Sequence, residues 1–352
     1  MTEKLKKVSF KSSHPDIKSR NEGALEKLKA VFSGLDSRYG KPLSKSTITN
    51  YVSKVNRLAL EVTGKPFDGE YKWMLDPKNV IDCIDKSSLS SKKDFLSGVV
   101  RFLRQSGVKD EIIIKYHDGI NKFKNAEAQI KDKGLATSKQ VKNSLPLPDI
   151  IKLIKDFKVT DDSDLADKLI VQLYFQNSLV PRNELYLLKY VNQNKKPKDM
   201  SKDFNYITLD KFGVPINLIY NHYKSRNTYG INKIFPLSIE VRETFKEYVK
   251  RTNGKPGDFV FLMRSKDDKG DNKPFQESNF SSVIKAAMKK VLGVEITANL
   301  ARSIQITDYY SKGLPSVLDQ KKDSDRYLHS VNQHQSYSKV NLPDDNDSGE
   351  DT

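Results

Sequence analysis

The chain has 352 residues, enough for about two domains, with a formal net charge of +16 and a pI near 9.4, which makes a polyanion, nucleic acid foremost, the expected partner. Cys83 is the single cysteine, which excludes a disulfide framework and a cysteine-based zinc site. No apolar run approaches the roughly 18–20 residues that span a bilayer, and "MTEKLKKVSFKSSHPDIKSR" lacks a signal-peptide core, so the expectation is a soluble, reduced, intracellular protein that is not secreted.

Residues 1–22 are basic and poor in apolar side chains, and read as a flexible arm. "GALEKLKAVFSGL" then predicts a short amphipathic helix. "SKSTITNYVSKVNRLALEVTG" predicts a longer one: Ser44 or Ser46 can cap it, Ile48, Tyr51, Val52, Val55, Leu58, Ala59 and Val62 recur at helical spacing, and Gly64 with Pro66 stops it. "SSLSSKKDFLSGVVRFLRQSG" repeats the pattern through Phe95, Leu96, Val99, Phe102 and Leu103. A further helix carries Ile112, Ile113, Tyr116, Ile120 and Phe123. Residues 23–127 thus read as a helical domain, and the polar, basic stretch 128–145 as a linker.

The helical period resumes at "LPDIIKLIKDF" and continues in "DSDLADKLIVQLYFQNSL". "LVPRNELYLLKYV" places Arg182 before an apolar stretch read as helical. "FNYITLD", "VPINLIYN" and "INKIFPLS" are spaced as a three-stranded antiparallel meander. Helices return at "SIEVRETFKEYVKRTNG", "ESNFSSVIKAAMKKVLG" and "TANLARSIQITDYYSKG". Residues 146–342 therefore form a second domain, and 343–352 an acidic tail expected to be disordered. The fold class expected is mainly α with a small antiparallel sheet, α+β. No Gly-rich phosphate loop is present, and the histidines at 14, 117, 222, 329 and 334 lack metal-ligand spacing, so no cofactor or metal is expected.

Four segments of the second domain carry candidate chemistry. They are "PRNELYLLK" with Arg182 and Glu184, "YKSRNTYG" with Lys224, "NLARSIQITDYY" with Arg302, and "LHSVNQHQSY" with His329 and Tyr337. Each has an ordinary reading too. Arg182 could simply pair with Glu184, Lys224 is one of many turn lysines, and Arg226 and Lys233 flank it as possible phosphate contacts. Tyr309, Tyr310 and Tyr327 read as packing residues, and His334 as solvated. Arg302 stands out because it lies in the apolar stripe of Leu300, Ile304 and Ile306.

In this order, behind "LSKSTITNYVSKVNRL", the four segments resemble the boxes of the tyrosine recombinase/integrase family, most closely the integrases of large DNA viruses and their satellite elements. The resemblance spans nearly the whole chain. It implies an N-terminal core-binding domain and a C-terminal catalytic domain that clamp duplex DNA. It also implies metal-independent strand cleavage and rejoining through a 3′-phosphotyrosyl link, to integrate or resolve a viral or mobile genome.

Arg182 and Arg302 would bracket the scissile phosphate, whose transition state gains negative charge that fixed guanidinium groups can stabilise. Lys224 would protonate the departing 5′ oxygen, His329 would hydrogen-bond the phosphate or take the tyrosine proton, and Tyr337 would be the nucleophile. Glu184 would support an arginine. With His329 eight residues before Tyr337, the two are expected to reach the phosphate from separate sides, His329 at a helix start. The partners implied are double-stranded DNA and further copies of the chain, four protomers on two sites, with no membrane and no small-molecule substrate. The locale implied is wherever that DNA lies, host nucleus or cytoplasm.

The pattern departs from the family at Asn299, where relatives carry a histidine or lysine three residues before the second arginine, and at Ser303, where they often carry histidine. Asparagine can bond a phosphate but cannot shuttle protons. Two alternatives therefore stand beside a working integrase: a DNA-binding protein with weak chemistry on the same fold, and a related topoisomerase or telomere resolvase.

Overall fold

The computed structural model describes residues 15–34, 42–266 and 272–339. The chain divides into two compact units, Met1–Lys133 and Gly134–Thr352. The acidic tail and the first 14 residues of the expected arm lie outside the described residues.

The first unit is helical: α1 (Pro15–Ser33), α2 (Lys45–Thr63), α3 (Pro77–Cys83), α4 (Leu89–Gln105) and α5 (Asp110–Asp132). Helix α1 reaches back into the segment expected as a free arm, opening on Pro15, whose fixed φ suits a first helical turn. Ser44 caps α2 by accepting the Thr47 N–H at 3.2 Å, and Gly64 ends it at φ 73°. Ser88 caps α4 in the same way. The stripes then meet: Val55, Leu58 and Ala59 of α2 share a core with Phe95, Leu96, Val99 and Leu103 of α4, each large side chain contributing about 1.5–3 kcal/mol by leaving water. Gly98 makes the close approach possible, since a Cβ there would sit 3.3 Å from Val55 Cγ2.

The stretch expected as linker is largely helical. Its first part is the end of α5, and its second is a short helix α6 (Ser138–Lys142). Thr137 and Gln140 form a reciprocal capping box there, a start signal that the polar composition concealed.

The second unit builds its core around α8 (Asp162–Phe175), in which Leu165 and the unbroken run Leu169–Phe175 are buried. Helices α7 (Leu147–Asp156), α10 (Ile239–Thr252) and α11 (Glu277–Leu292) pack on it. A four-stranded sheet runs in the order β1 (Leu188–Asn192), β2 (Asn205–Leu209), β3 (Pro215–Tyr220), β4 (Lys233–Pro236). Strands β2, β3 and β4 form the expected antiparallel meander, and β1 joins it parallel to β2.

β1 is a departure from the sequence reading, which took this stretch as helical. The segment is extended because both of its edges find partners. β2 lies on one side. On the other, Tyr190 N–H donates to the Asp258 carbonyl at 3.0 Å, and Val260 N–H donates to the Leu188 carbonyl at 2.8 Å. A β-hairpin, β5 (Leu262–Lys266) and β6 (Asn272–Pro274), also escaped the sequence reading. The chain closes with α12 (Ala298–Ser311), α13 (Val317–Arg326) and α14 (Val331–Gln335); a one-turn helix, α9 (Arg226–Tyr229), interrupts the β3–β4 connection. Among the described residues no helix is long and apolar enough to cross a membrane.

Candidate active site

Arg182 sits on the turn that follows α8, and its backbone is gripped from both sides. The Tyr174 hydroxyl donates to its carbonyl, and its N–H donates to Glu184 Oε2 at 3.0 Å. The Glu184 carboxylate therefore holds the Arg182 backbone rather than its guanidinium, which has no hydrogen-bond or ion-pair partner among the described residues. The simple Arg–Glu pair is thus not formed.

Arg302, on α12, is 3% exposed. Its Nε donates to the Pro181 carbonyl at 3.3 Å, and one terminal nitrogen, Nη2, donates to the carbonyls of Val180 at 2.6 Å and Tyr327 at 3.3 Å. The other, Nη1, is buried with no partner among the described residues. A buried donor without an acceptor costs free energy, so it marks a place where an anion would be welcome. Burial and then the neighbouring Arg182 charge lower the Arg302 pKa, while Glu184 opposes them. The two guanidinium groups thus feel each other across the site.

His329 and Tyr337 come from the turns around α14. Leu328 adopts φ 51°, unusual for a branched residue, and this sharp reversal delivers His329 just before the Ser330 cap of α14. The His329 ring stacks on Tyr327 (5.3 Å between centroids, 8° between planes) and on Tyr337 (5.5 Å, 26°). The two residues expected on separate sides of a phosphate are in fact packed against each other, because the chain turns after α14 and folds back.

Burial first, then the Arg302 charge, push the His329 pKa down to about 3, so the ring is neutral. Its Nδ1 has no partner among the described residues, while its Nε2 lies 2.9 Å from His334 Nδ1. His334, expected in solvent, is fully buried. Its five-residue helix turns it inward, edge-on to Tyr309 and tilted against Tyr310. Tyr327 is buried against the Arg302 guanidinium, 5.6 Å from ring centre to Cζ.

Lys224 is exposed, on the twelve-residue β3–β4 connection that contains α9 rather than on a tight turn. Asn299 is exposed in the first turn of α12, where Thr297 caps the helix by accepting the Leu300 N–H at 3.2 Å. A cleft of about 550 Å³ is lined by Arg182, Glu184, Lys224, Asn299 and Tyr337, together with Lys285 and Glu277 of α11. A smaller recess brings Arg302 together with Arg182, Glu184 and Lys224. Arg302 and His329 lie beneath the surface, and their free nitrogens are the inner polar groups. Among the described residues, no cluster of three or more His, Cys, Asp or Glu side chains could hold a metal ion.

Two residues that went unnoticed in the sequence, Asn205 and Ser225, fasten these segments together with Arg302. Asn205, fully buried on β2, donates to the Glu184 carbonyl at 3.2 Å and the His222 carbonyl at 3.0 Å, and its Oδ1 accepts the N–H groups of Asn221 and His222. It thereby joins the Arg182 turn to the strand leading into Lys224. Ser225 Oγ donates to the Leu328 carbonyl at 2.6 Å, tying the Lys224 loop to the His329 turn. Arg302 itself bridges the Arg182 turn and the Tyr327 carbonyl. Ser225 lies in a polar segment, and Asn205 in an apolar strand whose pattern does not say what its amide would hold. Their role becomes visible only once the sheet is formed.

No protein-family model matches the chain, and no curated protein does. Among solved structures it is similar to XerA recombinase, at 15% identity over 91% of this chain and 94% of that one, with a TM-score of 0.37. A likeness of that strength decides nothing about chemistry, which rests on the residues themselves.

Proposed function

We propose that the chain is a tyrosine-type DNA strand transferase that cleaves and rejoins DNA through Tyr337, and that it serves as a site-specific integrase or resolvase of a viral or mobile genome. The observation that carries this reading is the meeting of two arginines, a lysine, a histidine and a tyrosine, scattered from residue 182 to residue 337, around one cleft and its floor.

In this reading a DNA phosphate enters the cleft and takes the free guanidinium of Arg182 and the unpartnered Nη1 of Arg302. Both donors strengthen as charge builds on phosphorus, and neither needs a metal to do so. The Tyr337 oxygen attacks phosphorus, the bond to the 5′ oxygen breaks, and Lys224 gives that oxygen its proton. Asn299, in the first turn of α12, contributes a hydrogen bond to the phosphate but no proton. Glu184 acts through the Arg182 backbone it holds. The bond energy kept in the phosphotyrosyl link allows rejoining to a new 5′ end. Duplex DNA is the partner, and exchange between two sites calls for four protomers assembled on it. Phosphate contacts by so basic a chain make affinity fall steeply with salt.

The test uses duplexes tiled across the DNA flanking the chain's own gene, each nicked so that the short fragment beyond the cleaved bond diffuses away. The wild-type protein is expected to form a covalent protein–DNA adduct, and Tyr337→Phe none. An adduct that survives Tyr337→Phe but disappears in Tyr327→Phe would move the nucleophile. No adduct on any of the tiled sequences would favour a binding protein that keeps this fold.

A further inference from the structure

Behind His329 lie a second histidine and a carboxylate that strand transfer, as described above, does not use. His334 Nδ1 is 2.9 Å from His329 Nε2, and His334 Nε2 is 3.0 Å from Asp323 Oδ2. The second pair lies at hydrogen-bond distance without meeting strict hydrogen-bond geometry, and the carboxylate still sets the polarity at that nitrogen. Asp323 is buried on α13. Burial alone would raise its pKa, but the contacts with His334 and Arg326 outweigh it and hold the group below the ordinary carboxylate value. Its other oxygen accepts from Arg326 Nη1 at 2.8 Å.

The contacts along this line order the tautomers of the two rings. A carboxylate beside His334 Nε2 favours a proton on that nitrogen, and with His334 carrying that one proton its Nδ1 is bare. A single proton occupies the space between His334 Nδ1 and His329 Nε2, so it resides on His329 Nε2. His329 Nδ1 is then a bare lone pair, and it is the buried nitrogen without a partner on the ring that stacks against Tyr337. The logic is that of a nucleophile, a base and an orienting acid, with a second imidazole inserted.

We propose that Asp323 and His334 are positioning residues that hold His329 with its proton on Nε2 and a bare Nδ1, making that ring the acceptor of the Tyr337 phenolic proton. The inference rests on Tyr337 being the nucleophile. Stacked rings do not point the hydroxyl straight at Nδ1, so the proton passes through one bridging water. As the tyrosine oxygen bonds phosphorus, His329 Nδ1 gains the phenolic proton and Nε2 hands its own to His334 Nδ1. The positive charge comes to rest on His334 beside the Asp323 carboxylate. The P–O5′ bond breaks, and the leaving oxygen takes its proton from Lys224. Arg182 and Arg302 disfavour a charge on His329, so moving it one ring outward, to a carboxylate, lowers the energy of the step.

Two measurements on the full chain test this. The first is the nitrogen NMR spectrum of the histidine rings in the DNA-free protein, assigned with a His329→Asn sample; it is expected to show His329 protonated on Nε2 and bare on Nδ1. The second is the rate of Tyr337 adduct formation at saturating DNA. His334→Asn puts an amide oxygen near the place of Nδ1, so it keeps an acceptor for His329 but cannot take a proton. It is expected to preserve the His329 tautomer and DNA affinity while slowing the adduct by at least about tenfold. Asp323→Asn keeps size but not charge, and is expected to mix the tautomers and slow the step similarly.

A His329 ring protonated on Nδ1 in the wild type overturns the proposal, and so do wild-type rates in both variants. Loss of DNA affinity in step with rate in His334→Asn would show a structural role and likewise overturn it. If the wild type forms no adduct at all, the nucleophile assignment fails separately, and the ring spectrum still decides the tautomer.

Discussion

Arg302→Lys is the sharpest perturbation of the site, because it keeps the charge and removes the geometry. The arginine spends three hydrogen bonds, from Nε and Nη2, on the carbonyls of Val180, Pro181 and Tyr327, and keeps Nη1 in reserve. A lysine ends in one nitrogen with three N–H groups on a shorter stem. Placed among the same three carbonyls, it satisfies them and has no donor left for a phosphate.

The loss is therefore one charge-assisted contact made in the transition state, about 2.7–4 kcal/mol, or roughly 10²–10³ in rate. The fold loses less. The carbonyls keep a cationic partner at poorer geometry, and unfolding free energy drops by about 1–2 kcal/mol. Single-turnover adduct formation on the nicked duplex measures the first effect, and a thermal melt followed by circular dichroism measures the second. A lysine variant that reacts within about threefold of wild type would show that Nη1 does not serve a phosphate, and the arginine would then be a structural brace between the Val180–Pro181 turn and α13.

Other substitutions separate neighbouring roles. Tyr337→Phe is expected to abolish the adduct and change unfolding free energy by less than about 0.5 kcal/mol, because the hydroxyl has no partner among the described residues; Tyr327→Phe is expected to leave the adduct in place, and the reverse pattern on a denaturing gel would exchange their roles. The His329 pKa of about 3 lies below the ordinary histidine value of roughly 6.5, so the unfolded chain binds the extra proton first. Its contribution to stability is complete above about pH 6.5 and is lost as pH falls toward 3. Melting points from about pH 7 to pH 4 should slope less in His329→Asn than in wild type, and equal slopes would refute the assignment. Gly254 packs under the Tyr190 ring, where a Cβ would fall 2.5 Å from Tyr190 Cε2. Gly254→Ala should cost about 1–3 kcal/mol in a denaturant titration, and no loss would mean that the ring swings aside freely.

What could be read from the sequence depended on whether a residue stood out from its surroundings. The helices of the first unit were legible because serine caps and apolar spacing agree along α2 and α4. Strand β1 was not, because "LYLLKYV" satisfies either period, and what makes it extended is a second edge supplied by residues 258–260, far along the chain. The site divides in the same way. Arg302 drew attention because a charge in an apolar stripe must point inward, and inside a protein a guanidinium needs acceptors. His334 lies in "NQHQS", a polar context in which direction carries no signal, and Asp323 shares that camouflage. Local pattern therefore reports a buried polar group only where its neighbours are apolar. The side chains that line the candidate cleft, Arg182, Lys224, Asn299 and Tyr337, lie in marked segments and could be picked out as candidates in advance. The residues that hold it could be found only from the contacts that the fold itself creates.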